Sequence, residues 1–247
     1  MCNCLKTWMA AIAATLVIAT SAHAVPVSGQ GTWETTLQAR DLDGNGATDA
    51  FYDTTLNITW LRNADVNGQM DWHAANTWAA GYSFGGYSDW RLPTMVDTGS
   101  SGCNWSVTGG TDCGSNVQTT SGSTVYNEVA SLWYDALGNK NYFAPGTGIN
   151  PQPGWGLTNT GDFLNMQSAL YWQGLLYAPH PREGWYFNTM DGSQKFEHDV
   201  YRFYAMAVRP GDVLAATVPE PATYAMMLAG LGLMGLTARR RKAKQTS

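Results

Sequence analysis

The stretch Asp41-Leu42-Asp43-Gly44-Asn45-Gly46-Ala47-Thr48-Asp49 sets oxygen donors at alternate positions. Asp41, Asp43 and Asn45 stand at positions 1, 3 and 5 of a calcium-type loop, with Gly46 at the sharp turn and Asp49 at position 9. Alternate oxygens can converge on one hard cation once a glycine lets the chain curl around it. Position 12, where such loops carry a bidentate acid, is Tyr52; Asp53 comes one residue late, and no helix pattern precedes the loop. An Asp/Asn/Gly turn joining two strands accounts for the same composition. Both readings stand, and calcium is the one cofactor the sequence brings forward.

Other residues suggest further chemistry. Cys103 and Cys113 sit in a Gly, Ser and Thr-rich stretch, where an isolated pair in an oxidising compartment closes a local disulfide. Two thiolates at that spacing lack the further ligands zinc requires. His73, His180 and His198 are isolated along the chain and read as surface or satisfied core residues rather than ligands. Glu183 with Asp191 or Glu197 offers a carboxylate pair for glycoside hydrolysis, although a chain this rich in acids supplies such pairs freely. Gly-x-Ser-x-Gly, His-Glu-x-x-His and phosphate-binding glycine loops do not occur. Among Tyr171, Trp172, Trp185, Tyr186 and Phe187, the flat faces of Trp172, Trp185 and Tyr186 are candidates for stacking on sugar rings. Strand alternation would place half of these aromatics in the core.

Hydrophobic spacing outlines the elements that must carry these groups. Residues 32–38 alternate as a strand, and residues 51–61 read as two short strands parted by a turn. Trp72, Ala75, Trp78 and Ala79 recur at helical spacing, predicting a helix over residues 70–80 with Asp71 at its start and Gly81 as its stop. A second helix is predicted over residues 125–137, with Val129, Leu132, Trp133 and Leu137 on one side and Gly138 after it. Residues 97–124 and 140–160 are long polar loops. Strand-like runs at 168–177, 184–189 and 201–209, with an Asp191-Gly192 turn after the second, complete an α+β domain of two early helices and antiparallel strands. Trp90 is expected in the core and Arg91 in a pair with a buried acid.

The two ends differ from this body. Lys6 precedes an apolar stretch from Trp8 to Ala19, and Ala22-His23-Ala24 has the Ala-x-Ala form of a cleavage site, so residues 1–24 read as a signal peptide. Near the other end, Val218-Pro219-Glu220-Pro221 leads into an uncharged apolar run over residues 222–238 and then Arg239-Arg240-Arg241-Lys242. A helix over that run would span roughly 25 Å, at the short end of a bilayer crossing, with the basic residues left on the cytoplasmic side. Pro219, Glu220 and Pro221, the apolar helix, and Arg239, Arg240 and Arg241 together resemble the PEP-CTERM signal of Gram-negative bacteria. The resemblance implies recognition and removal by an exosortase, from an inner-membrane intermediate. A permanent anchor would share this topology without needing Pro-Glu-Pro.

Without its two ends the body carries 8 Lys and Arg against 18 Asp and Glu, a net charge of −10 where the whole chain has −5. Such an acidic body disfavours nucleic acid and anionic lipid as partners. Tyr52-Asp53-Thr54, Ile58-Thr59-Trp60, the Trp72 to Trp78 segment, Gly86-Tyr87-Ser88-Asp89-Trp90-Arg91-Leu92-Pro93 and Ala207-Val208-Arg209-Pro210-Gly211 resemble the Lcl C-terminal family over residues 50–212. That resemblance implies a C-type-lectin-like fold, related also to formylglycine-generating enzymes, and lends no catalytic residues. The active-site cysteines of the latter group are not carried over to Cys103 and Cys113 in their Gly/Ser loop.

The expected order is therefore a signal peptide (1–24), an N-terminal segment with the Asp/Asn/Gly loop (25–49), and a single lectin-like domain (50–212). A linker with the Pro-Glu-Pro motif (213–221), a transmembrane sorting helix (222–238) and a basic cytoplasmic tail (239–247) follow. The expected function is that of an exported, non-enzymatic surface or exopolysaccharide-matrix protein with an adhesive or glycan-binding role. A secreted enzyme acting on extracellular polysaccharide and a purely structural matrix component are the alternatives.

Overall fold

Antiparallel sheets and short helices make up residues 24–213, the span that the computed structural model describes apart from residues 104, 106, 148 and 149. The predicted signal segment before Ala24 and the sorting helix over 222–238 lie outside the described residues. No helix among the described residues is long and apolar enough to cross a membrane.

The chain opens with α1 (Trp33–Thr36), β1 (Leu37–Arg40), β2 (Ala50–Asp53) and β3 (Ile58–Leu61), followed by α2 (Trp72–Gly81). A small hairpin, β4 (Thr120–Ser121) and β5 (Thr124–Val125), precedes α3 (Glu128–Ala130). That helix runs on through Ser131–Ala136 in a wider turn, where Leu137 N–H reaches back five residues to Leu132 C=O at 2.9 Å. Then come β6 (Leu170–Leu176), β7 (Glu183–Asn188), β8 (Ser193–His198) and β9 (Val208–Pro210). One sheet has the order β1-β2-β3-β9 and another β6-β7-β8, and every pairing between these strands is antiparallel. The segment before residue 50 is thus part of the first sheet, with Leu37 opposite Asp53 and Arg40 opposite Ala50.

Local chemistry explains the boundaries. Asp71 accepts from Ala74 N–H at 2.8 Å and starts α2, which ends at Gly81. Asn127 does the same for α3 through Ala130 N–H at 2.9 Å. The turn between β2 and β3 closes on Asp53, whose buried carboxylate takes Thr55 N–H, Leu56 N–H and the Trp60 indole N–H at 2.9, 3.1 and 3.3 Å. Burial raises the Asp53 pKa, and these bonds work against that shift.

Trp60, Trp133, Tyr171, Phe187, Met206 and Val208 form the main core between the two sheets and the Glu128–Ala136 helix. Each buried aromatic removes about 150–250 Å² from water, on the order of 4–6 kcal/mol as an upper figure. The aromatic wealth of the sequence therefore goes mainly into packing.

Two expected elements differ. Residues 32–38 do not form one strand: Thr32 C=O accepts from both Thr35 and Thr36 N–H, curling the chain into α1 before β1 begins. The third late strand is not 201–209 but β8, because the Asp191-Gly192 turn sends the chain straight back against β7 in full register from Asn188–Ser193 to Glu183–His198. Residues 203 and 204 make only single bridges, to Met70 and Tyr171, before Val208 joins the other sheet beside β3.

Candidate functional site

The same Asp191-Gly192 turn builds a cleft. Gly192 has φ +76°, and a Cβ there would lie 2.5 Å from the Trp133 ring, so only glycine lets the turn lie flat on the helix. Tyr134 donates its hydroxyl to Gly192 C=O at 2.6 Å and accepts from Asn141 Nδ2 at 3.0 Å, and burial pushes its phenol pKa well up. Asn141 Oδ1 accepts from Phe143 N–H at 2.9 Å, and Asn141 C=O accepts from Gln152 Nε2 at 2.7 Å. These bonds fix Asn141, Tyr142, Phe143, Asp191 and Ser193 around a cleft of about 260 Å³ to which Trp105 adds a wall.

Trp155 stands edge-on to Tyr142 with ring centres 4.6 Å apart. At 49% and 39% exposure, Trp105 and Trp155 are the exposed tryptophans among the described residues; Trp105 lines the cleft, and Trp155 packs on Tyr142, which lines it too. Asp191 Oδ1 accepts from Ser193 N–H and Oγ at 2.8 and 2.7 Å, which aims the carboxylate beside the rings.

Cys103 and Cys113 are joined in a disulfide with Cα atoms 4.6 Å apart, two residues before Trp105. The loop it closes is pinned to β8, where Gly114 and Gln194 exchange backbone hydrogen bonds of 2.8 and 2.9 Å and Gln194 Nε2 donates to Asp112 C=O at 2.7 Å. Tyr177 hydroxyl takes Gly102 N–H at 2.8 Å and donates to Ser100 C=O at 3.0 Å. A broader groove of about 470 Å³ also borders the disulfide, lined by Thr98, Ser100, Ser101 and Asp112, with hydroxyls but no ring.

The Asp/Asn/Gly loop forms a separate site. Oxygens of Asp41, Asp43 and Asp49 all lie within 4.8 Å of one another, the one such group of three His, Cys, Asp or Glu side chains among the described residues. Asp41 accepts from Gly44 and Gly46 N–H at 2.8 and 2.7 Å, Asp43 from Asn45 N–H at 3.1 Å, Asn45 from Ala47 N–H at 2.7 Å, and Asp49 from Leu42 N–H at 2.9 Å. The Gly46 amide, ahead of the other backbone donors, holds the Asp41 carboxyl below its ordinary range. Gly85, with φ +58°, backs the loop so closely that a Cβ would lie 2.3 Å from Leu42 C=O. Asp53 is committed to the β2–β3 turn and Tyr52 donates its hydroxyl to Asn57, so neither completes the ligand set.

Residues 217–242 match the PEP-CTERM protein-sorting motif. The motif marks the chain as an exported protein sorted by an exosortase. Pro219, Glu220, Pro221, Arg239, Arg240 and Arg241 belong to it and, like Ala22, lie outside the described residues, whereas Ala24 C=O accepts from Thr160 Oγ1 at 3.4 Å. No curated protein and no solved structure matches the chain.

The aromatics singled out from the late strands are not at a surface. Trp172, Trp185 and Tyr186 are 0%, 1% and 8% exposed, because both faces of β6 and β7 are covered. Trp172 donates its indole N–H to Met70 C=O at 2.8 Å and Trp185 donates to Asp97 Oδ2 at 2.9 Å; burial, ahead of the Glu197 and Asp191 charges, pushes the Tyr186 phenol up to about 12. The carboxylate pairs also fail to form. Glu183 lies opposite His198 and Glu197 opposite Gly184, so the two acids point to opposite faces of the sheet, while Asp191 sits in the turn at the far end of β7.

The histidines, isolated along the chain, are surface or partly exposed residues beside acids, and two of them share one. His73 Nε2 and His198 Nδ1 approach the two oxygens of Asp199 at 3.2 and 2.9 Å, and His180 lies 3.7 Å from Glu183. What sequence reading missed, Trp105, Tyr142, Phe143 and Trp155, lies in loops with no period to follow. The available signal was large rings amid Gly, Ser, Asn and Pro, where no strand or helix would bury them.

Proposed function

We propose that this exosortase-sorted, exported body binds an extracellular glycan in the Trp105–Tyr142–Trp155 cleft and does not turn it over. The observation that carries the reading is an exposed tryptophan, Trp105, lining a cleft with Tyr142, Asp191 and Ser193, with the second exposed tryptophan, Trp155, packed on Tyr142, in a body whose other rings are largely packed inside. Sugar C–H faces pack on such rings while hydroxyls take the neighbouring polar groups. A surface or matrix role follows from export combined with glycan contact. The lectin-like character of the domain is part of the same proposal, supported by the family-like strings over residues 50–212 and by short strands that carry long loops.

The test is glycan-array binding of the full chain, followed by titration of the best oligosaccharide. Trp105→Ala and Trp155→Ala are each expected to weaken binding about fivefold or more, the loss of roughly 1 kcal/mol of ring contact. Binding indifferent to both substitutions would place the ligand elsewhere, and release of new reducing ends would make the protein an enzyme.

We also propose a calcium ion at Asp41, Asp43, Asn45 and Asp49, on the convergence of three carboxylates and the 1-3-5-9 spacing. Without a bidentate acid at position 12 its affinity belongs to the weak extracellular range, about 10⁻⁴–10⁻³ M. Calcium at ten times its Kd would then stabilise the fold by about 1.4 kcal/mol and raise Tm by about 3–5 °C. A Tm indifferent to calcium and chelator, or a rise that survives Asp43→Ala, removes the site.

A further inference from the structure

The charge beside the aromatic cleft narrows the ligand class. β8 alternates, so Ser193 and Lys195 share one face, and Ser193 lines the cleft. Lys195 Nζ lies 5.2 Å from the centre of the Trp105 ring, and the same ring walls the cleft. Lys195 is exposed and makes no ion pair with a carboxylate among the described residues, although acids outnumber bases throughout the body. Asp191 spends Oδ1 on Ser193, an arrangement that suits a sugar hydroxyl better than a second cation. A cation with no carboxylate partner among the described residues therefore lies over the exposed ring that walls the cleft, within an acidic surface that would otherwise repel anions.

We propose that the cleft selects anionic sugars, uronate-bearing polysaccharides in chemical class, and that Lys195 is the residue that reads the carboxylate. This rests on the glycan reading of the cleft. A ring of the sugar lies on Trp105 or Trp155, and its carboxylate takes the Lys195 ammonium in a contact that a neutral hexose cannot make.

The experiment uses the full chain and paired probes: oligosaccharides of galacturonate, mannuronate and glucuronate, each beside its carboxyl-reduced, neutral counterpart. At low salt at least one uronate is expected to bind about threefold to fivefold tighter than its reduced form, the size of a solvent-exposed ion pair, and the preference should shrink as salt screens it. Lys195→Gln should abolish the preference, so that each uronate and its reduced form bind alike, and Lys195→Arg should keep it. A merely structural lysine would instead alter both ligands alike.

If Trp105→Ala weakens both probes but Lys195→Gln leaves the preference intact, the charge assignment falls and the glycan cleft stands. If reduced sugars bind as well as uronates to the wild type, anion selection falls in the same way. If no member of any pair binds the wild type, both readings fall together.

Discussion

Arg91 meets Glu128 through two bonds of 2.8 and 2.7 Å, and the carboxylate also takes Thr94 N–H at 2.7 Å. The Glu128 side chain is 7% exposed and that of Arg91 37%, so the acid is the member that depends on its partner. The hydrogen bond to Glu128, ahead of the opposing effect of burial, raises the Arg91 pKa. Removing a partner from a buried pair strands the remaining charge. Arg91→Ala is therefore expected to cost about 3 kcal/mol in urea unfolding, and Arg91→Lys to recover only part of it because an ammonium cannot grip both oxygens. A loss below about 1 kcal/mol would show that water reaches Glu128 and the pair is peripheral. The Trp-Arg-Leu-Pro string already marked Trp90 as core and Arg91 as an ion-pair donor, and Trp90 is 2% exposed. Its partner was not legible: the body has 18 acids, and nothing local singles out one that lies 37 positions away.

Elements with their own start and stop chemistry were the readable ones. The helix from Trp72 has a capping aspartate, a four-residue apolar spacing and a terminal glycine, all within eleven residues of sequence. β8 has none of these. Ser193-Gln194-Lys195-Phe196-Glu197-His198 contains a single large apolar residue, and Gln194 is fully buried because Asn127 and Gln173 both donate to its side-chain oxygen. A strand held by a polar core network leaves no hydrophobic alternation to detect. The first sheet is likewise closed by charge: Arg40 on β1 grips Asp212, just past β9, through bonds of 2.7 and 2.8 Å. That hydrogen bond, the largest influence on it, lowers the Asp212 pKa. Because the folded value lies below the unfolded one, the stabilisation is complete above about pH 4 and is lost as pH falls through the folded value. Asp53 acts in the opposite sense, since its raised pKa means that protonation favours the fold. Asp212→Asn is expected to lower stability at pH 7 by about 0.5–1 kcal/mol and to flatten its decline below pH 4. An unchanged acid slope in the variant would assign that slope to other carboxylates.

At the scale of the whole chain, charge is divided by destination. The sorting motif over residues 217–242 contains Arg239, Arg240, Arg241 and Lys242, while the body ahead of it carries 18 acids against 8 bases. Cleavage at Pro-Glu-Pro would therefore remove the strongest basic cluster and turn a chain of net charge −5 into a body close to −10. In a matrix of acidic polysaccharide such a body is repelled at long range and bound only where a local cation and exposed rings outweigh the field. On the proposed reading, attachment would then depend on the Lys195 cleft, and its uronate preference should fade as salt screens the ion pair. Intact mass on protein from native cells, with and without the exosortase, tests the first step. The processed form is expected to begin at Val25 and to lack the apolar run over 222–238, with any added group visible as excess mass on the new C-terminus. Protein from cells lacking the enzyme should keep the run and remain with the inner membrane. Identical C-termini in the two strains would make the tail a permanent anchor, and the body would then act from the membrane rather than in the matrix.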